Sequence, residues 1–223
     1  MTKVGLARLL IVGLLVIGLA LPAAGSSVSL SLSFGRSPAG PRWHAPFSLE
    51  RDVTYTYYLS AYRWGWESVS GELSMVRSGS TVRMSYKIGG ASGTVTAPYD
   101  PQAMVGALLL DALTNTSIDY AGVQLLATPF KFTPWLEQFG EAVLRDGRVW
   151  EVSGNPPIRF DAQPKSWRND YEWTGQIRQG SRTILTLEID VDEPLPVYLE
   201  TRDGEYRFTA ELRVQRAPVR ILR

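Results

Sequence analysis

The sequence predicts a mainly β domain: a curved antiparallel meander (half-barrel) of about eight or nine strands wrapped on one buried helix, plus one short helix. Three observations predict it. Stretches of alternating apolar and polar residues recur between Gly-containing turns. One long stretch reads as a helix apolar on nearly all sides. Apolar residues make up 44% of the 223, enough to bury a core in one ordinary domain. Twist accumulates along a long meander and curls it, and an apolar helix needs a concave partner.

The chain opens with "MTKVGLARLLIVGLLVIGLALPAAGSS". Lys3 and Arg8 supply a positive start and Leu9 to Leu21 an apolar run. Pro22 breaks the helix, and Ala23-Ala24-Gly25 offers the small residues a signal peptidase reads. Residues 1–25 therefore read as a signal peptide cleaved before Ser26. The alternative is an uncleaved anchor, since Leu9 to Gly25 holds 17 uncharged residues, the short edge of a bilayer span. Both readings export the rest, because the positive charges stay inside. The expected location is periplasmic, extracellular or cell envelope, or else single-pass anchored with the domain outside. Membrane contact is expected only through that segment if it is uncleaved.

Residues 26–47 form a Ser/Pro/Gly-rich lead-in. Val28, Leu30, Leu32 and Phe34 alternate with serines as an edge strand would, and "GRSPAGPRW" then reads as a loop. Residues 48–223 form a single β-rich domain. "DVTYTYYLSAYRWGW" is rich in aromatic and β-branched residues. "ESVSGELSMVR" and "TVRMSYKI" flank "SGS" as a hairpin, and "GTVTA" adds a short strand. Three more hairpins are predicted. "EAVLRDGRVWEV" turns on Asp146-Gly147, "TGQIRQGSRTILTLEIDV" near Gln179-Gly180, and "VYLETRDGEYRFTAELRV" on Asp203-Gly204, where both turn positions are expected to need positive φ.

The helix is "DPQAMVGALLLDALTN", capped by Asp100 and started by Pro101, with Asp111 its only charge from Ala103 to Leu113. The short helix is "TPWLEQFG", with Thr133 as cap and Gly140 as stop.

Composition excludes several chemistries. The chain has no cysteine, hence no disulfide, thiolate metal site or Cys nucleophile. His44 is the single histidine, which rules out a multi-His zinc site. Without Lys3 and Arg8 the 23 basic residues become 21 against 22 acidic ones, and no basic run exceeds a pair, so nucleic acid is not an expected partner. No cofactor and no metal are expected. "EIDVDEP" sets Glu188, Asp190 and Asp192 on one strand face, read as solvated; calcium spacing with its glycine is absent. "GGASG" at 89–93 lacks the strand-helix setting of a phosphate loop and reads as a link between strands.

The aromatic residues carry the binding expectation. Read with period two, "YLSAYRWGWES" puts Tyr58, Tyr62, Trp64 and Trp66 on one face, and four large rings need something large to cover them. That face is the candidate wall of a pocket, with Met104 and Leu108 on the helix as its other side. The competing reading is core, and the opposite face (Tyr57, Leu59, Ala61) is apolar too, so at least one face of this strand packs inside.

This arrangement, a signal peptide, a long meander, inserted helices and a late "LPVYLETRDGEYRFTAEL", resembles the exported half-barrel lipid-handling proteins, the bacterial lipoprotein carriers of the Lol type and their uncharacterised relatives. The resemblance spans about residues 49 to 215. It implies an apolar cavity between sheet and helices that holds acyl chains. The leading expectation is thus a non-catalytic exported module that binds a lipid or other apolar ligand. The alternative is a structural or assembly protein of the cell envelope with a solid core and a protein partner. A carboxylate-dependent hydrolase is third, since that chemistry requires only two acids suitably spaced.

Overall fold

The computed structural model describes residue 43 and residues 46–63, 66–115, 118–136, 148–152, 154–166 and 169–216. The described residues are mainly β: ten antiparallel strands in one open sheet, with two helices. The strands are β1 (Thr54–Arg63), β2 (Trp66–Ser78), β3 (Thr81–Ile88), β4 (Ala91–Pro98), β5 (Arg148–Val152), β6 (Ile158–Ser166), β7 (Asn169–Gln179), β8 (Arg182–Asp190), β9 (Tyr198–Asp203) and β10 (Tyr206–Gln215). The helices are α1 (Pro101–Asn115) and α2 (Tyr120–Ala127), followed by single 3-10 turns at Thr128–Phe130 and Thr133–Trp135.

The order across the sheet is β4-β3-β2-β1-β10-β9-β8-β7-β6-β5. Two meanders are therefore joined through the first and last strands, with Leu59 opposite Ala210 and Ala61 opposite Phe208. β4 and β5 lie at opposite edges, so the chain between them crosses the sheet, about 43 Å at nine strand spacings. The helices are that crossing. α1 sits on the edge strand β4, and α2 packs on β1, β2 and β10 near the middle.

Four hairpins close on two-residue loops: Gly79-Ser80, Gly89-Gly90, Gly180-Ser181 and Gly204-Glu205. The first glycine of each has positive φ, from +56° to +61°. This corrects the expected Asp203-Gly204 turn. Asp203 is the last paired residue, opposite Tyr206, and only the first of the two loop positions needs the conformation that glycine supplies. The first arm of the hairpin expected at Asp146-Gly147 lies outside the described residues; its second arm is β5, which pairs with β6.

The helix prediction needs two corrections. α1 forms as read, with Asp100 Oδ1 accepting from the Ala103 amide at 2.8 Å. It is not buried all round: Gln102, Gly106 and Leu110 are exposed, and Leu110 is 58% exposed. The helix buried against the sheet centre is α2, which the sequence reading passes over. Asp119 caps it by accepting from the Gly122 amide at 2.8 Å, and its Ala121, Val123, Leu125 and Leu126 are buried. The predicted helix at Thr133 begins as a 3-10 turn over Thr133–Trp135; residues 137–147 lie outside the description.

The sheet has one apolar and one polar face, because paired residues in an antiparallel sheet share a face. Val69, Ala61, Phe208, Thr201, Leu185, Ile177, Phe160 and Trp150 form one row on the helix side. Thr56, Ser74, Ser85 and Thr94 form a hydroxyl row on the other side, with Thr56–Ser74 at 2.9 Å and Ser85–Thr94 at 3.1 Å. The end of the lead-in joins the core. Trp43 Nε1 donates to the Glu193 carbonyl at 2.7 Å, and the Phe47 ring stacks on Tyr99 at 6.2 Å. Among the described residues no helix is long and apolar enough to cross a membrane.

Candidate functional site

The six candidate ligand-binding residues separate. Tyr58 and Tyr62 lie on the polar face of β1, 38% and 44% exposed. Met104 and Leu108 of α1 are fully buried on the helix side. The sheet stands between the two pairs, so they do not line one cavity. Trp64 lies outside the described residues, as does the side chain of Trp66. The physical reason is the parity of β1. The odd residues Tyr55, Tyr57, Leu59 and Ala61 all take the helix side, which turns Tyr58 and Tyr62 outward.

On the outer face Tyr58 stands between Glu72 of β2 and Glu211 of β10. The Arg213 guanidinium lies 4.5 Å from its ring centroid, a cation held on an aromatic face. Tyr62 stands opposite Arg207, whose other neighbour is Arg202. The result is an exposed patch of tyrosine and arginine rimmed by carboxylates.

On the helix side the space is filled by side chains. Leu73, Met84, Met104, Leu108, Leu125 and Phe208 have no exposed surface. Asp111, the one charge of α1, accepts from the Tyr86 hydroxyl at 2.9 Å. Gly93 makes that contact possible, because a Cβ there would stand 2.4 Å from the Asp111 carboxylate. Trp43, Trp135, Trp150 and Trp173 are all buried, which makes these four indoles core.

A second cluster lies at the β9–β10 tip. Tyr120 at the start of α2 donates to the Asp203 carboxylate, and that bond, together with burial, raises its pKa to about 12. Arg63 pairs with Glu205 at 2.9 Å and lies 5.5 Å from the Tyr206 ring centroid. Lys131, just past the first 3-10 turn, is half-buried with its amine 5.3 Å from the Phe208 ring centroid. Burial lowers its pKa from 10.5 to about 8, against the pull of Asp203. No periodicity signals this cluster, because its members come from α2, the 3-10 segment and two hairpins.

Two shallow concavities lie over β5–β8. One, about 240 Å³, is lined by Val149, Asp161, Gln163, Thr174, Gln176 and Arg178. The other, about 190 Å³, is lined by Lys165, Glu172, Glu188 and Asp190 with Trp173 and Ile189 at its floor. Its Glu188 is held by Lys165 at 2.7 Å, and Asp190 accepts from the Asp192 amide at 3.0 Å. Among the described residues no group of three His, Asp or Glu side chains is placed to hold a metal ion. Compared with known proteins, the chain matches no family profile and no curated protein.

Proposed function

We propose that the protein is a non-catalytic scaffold of the cell envelope that engages a protein partner through the outer sheet face around Tyr58 and Tyr62. One observation carries this reading: Tyr58 and Tyr62, two of the rings expected to wall a pocket, point outward, while the described interior behind them is occupied by side chains. Tyrosine and arginine concentrate binding energy at protein interfaces, because each combines a large apolar body with polar donors. Here Tyr58, Tyr62, Arg207 and Arg213 are neighbours on two paired strands. A sheet pinned by a filled core presents them rigidly, so little ordering entropy opposes docking. The export signal read in residues 1–25 supports the envelope location.

The test is native mass spectrometry of the protein drawn from the envelope fraction, with organic extraction. The expected result is a stoichiometric protein partner, lost in Tyr58→Ala/Tyr62→Ala and kept in Tyr171→Ala, which removes an exposed ring elsewhere. A stoichiometric lipid with no protein partner would overturn the scaffold and restore the reading of an apolar-ligand carrier.

A further inference from the structure

Lys131 sits where three elements meet. It follows the first 3-10 turn after α2, and that turn packs on β9 and β10. Its backbone is pinned. The Lys131 amide donates to the Thr128 carbonyl at 3.2 Å, and Phe130 and Phe132 on either side are buried. The half-buried side chain lies on the helix side of the sheet, with its amine over the Phe208 ring. Among the described residues no carboxylate forms an ion pair with this amine and no hydrogen bond reaches it. The other charged and titratable groups at this tip are engaged with one another. Asp203 of β9 accepts from Tyr120 of α2, and Arg63 of β1 pairs with Glu205 and lies over the Tyr206 ring of β10. Lys87 and Lys165 differ. Lys87 is exposed on the outer face opposite Glu72, and Lys165 is held by Glu188 at 2.7 Å.

We propose that Lys131 is a covalent capture site for an uncharged aldehyde, held as an imine on Nζ. The Nζ lone pair attacks the carbonyl carbon, and the π pair of the C=O bond moves to oxygen. The two protons of the neutral amine then leave with that oxygen as water while the C=N bond forms, so no oxidant or reductant is consumed. The placement suits each requirement of this step. An amine pinned against an aromatic ring, with no acid to hold it as ammonium, is activated as a nucleophile by desolvation. Burial lowers its pKa from 10.5 to about 8, so roughly one amine in ten is neutral at pH 7, against about one in 3,000 for an ordinary lysine. The Phe208 ring offers an apolar surface to the carbon chain of the aldehyde. Asp203, the charge that acts on the amine, is negative and disfavours an anionic carbonyl compound. Tyr58 and Tyr62 lie on the opposite face of the sheet, so the inference is independent of the partner proposed there.

The test treats the full chain with hexanal and cyanoborohydride at pH 7 and reads the alkylation rate of each lysine by peptide mass spectrometry. Lys131 should gain the reduced hexyl group at least about tenfold faster than Lys87 and Lys165; the margin is smaller than the gain in neutral amine because a less basic amine attacks more slowly. In urea the three rates should converge, since the advantage comes from the fold. Glyoxylate, an anionic aldehyde, should show no preference for Lys131. That pattern supports the inference. A Lys131 rate no greater than that of Lys87 overturns it, and so does a preference that persists in urea. A preference of glyoxylate for Lys131 overturns the uncharged class and assigns the amine to an anion.

Discussion

Replacing Lys131 with Met should stabilise the protein, by an amount that shrinks as pH rises. The folded state holds the Lys131 amine at a pKa of about 8, lowered from 10.5 because burial disfavours the charged form. The unfolded chain therefore binds this proton more tightly, and stability must rise with pH between the two values. Below about pH 8 the full penalty applies. Lowering the pKa from 10.5 to about 8 costs about 3 kcal/mol at pH 7. At pH 9.5 the unfolded amine is mostly still charged and the folded one neutral, which leaves about 1 kcal/mol. Lys131→Met keeps the stem that packs beside Phe208 and removes the charge. The assay is urea unfolding of both proteins at pH 7 and 9.5, taking the difference between them so that other titrating groups cancel. Staying below pH 10 also avoids Tyr120 and Tyr198, whose folded pKa values are both raised to about 12. An advantage for the variant of a few kcal/mol at pH 7 that narrows by about 2 kcal/mol at pH 9.5 is expected. A difference that is flat with pH, or a wild type more stable than the variant at pH 7, would refute the argument that this amine is held buried and charged at a cost.

Three other substitutions probe the framework by equilibrium unfolding. Gly93→Ala should cost about 1–3 kcal/mol, because its methyl would stand 2.4 Å from Asp111 and 2.5 Å from the Tyr86 hydroxyl; an unchanged midpoint would mean α1 is not seated on β4 as described. Tyr57→Phe should cost about 1–2 kcal/mol, since the buried hydroxyl donates to the Pro196 carbonyl at 2.8 Å and the carbonyl would lose that partner. Gly175→Ala should cost a similar 1–3 kcal/mol, because a Cβ there meets the Phe160 ring at 2.3 Å, and the Trp150–Phe160 stack should loosen with it, read by indole fluorescence.

Local structure is legible in the residue pattern alone. Period-two alternation set the strands, Gly79, Gly180 and Gly204 placed three hairpins to within a residue, and Asp100-Pro101 set the start of α1, because each depends on neighbours within a few positions. The pattern also determined that β1 has one face inside, since Tyr57, Leu59 and Ala61 are apolar. Alternation could not say which face, because both sides of "YTYYLSAYRWGW" are rich in rings. That choice belongs to the partners: Ala210 and Phe208 of β10, and Leu73 of β2, stand beside the odd residues. α2 escaped the reading because "YAGVQLLA" is eight residues, too short and too uniformly apolar to show a helical period; packing against the sheet centre selects it. The strand order was likewise out of reach. β1 and β10 are about 150 residues apart, and pairing them places β4 and β5 at opposite edges, so the intervening helices must cross the sheet. That crossing brings Lys131 over Phe208 and Tyr120 onto Asp203, contacts between distant segments that no periodicity encodes.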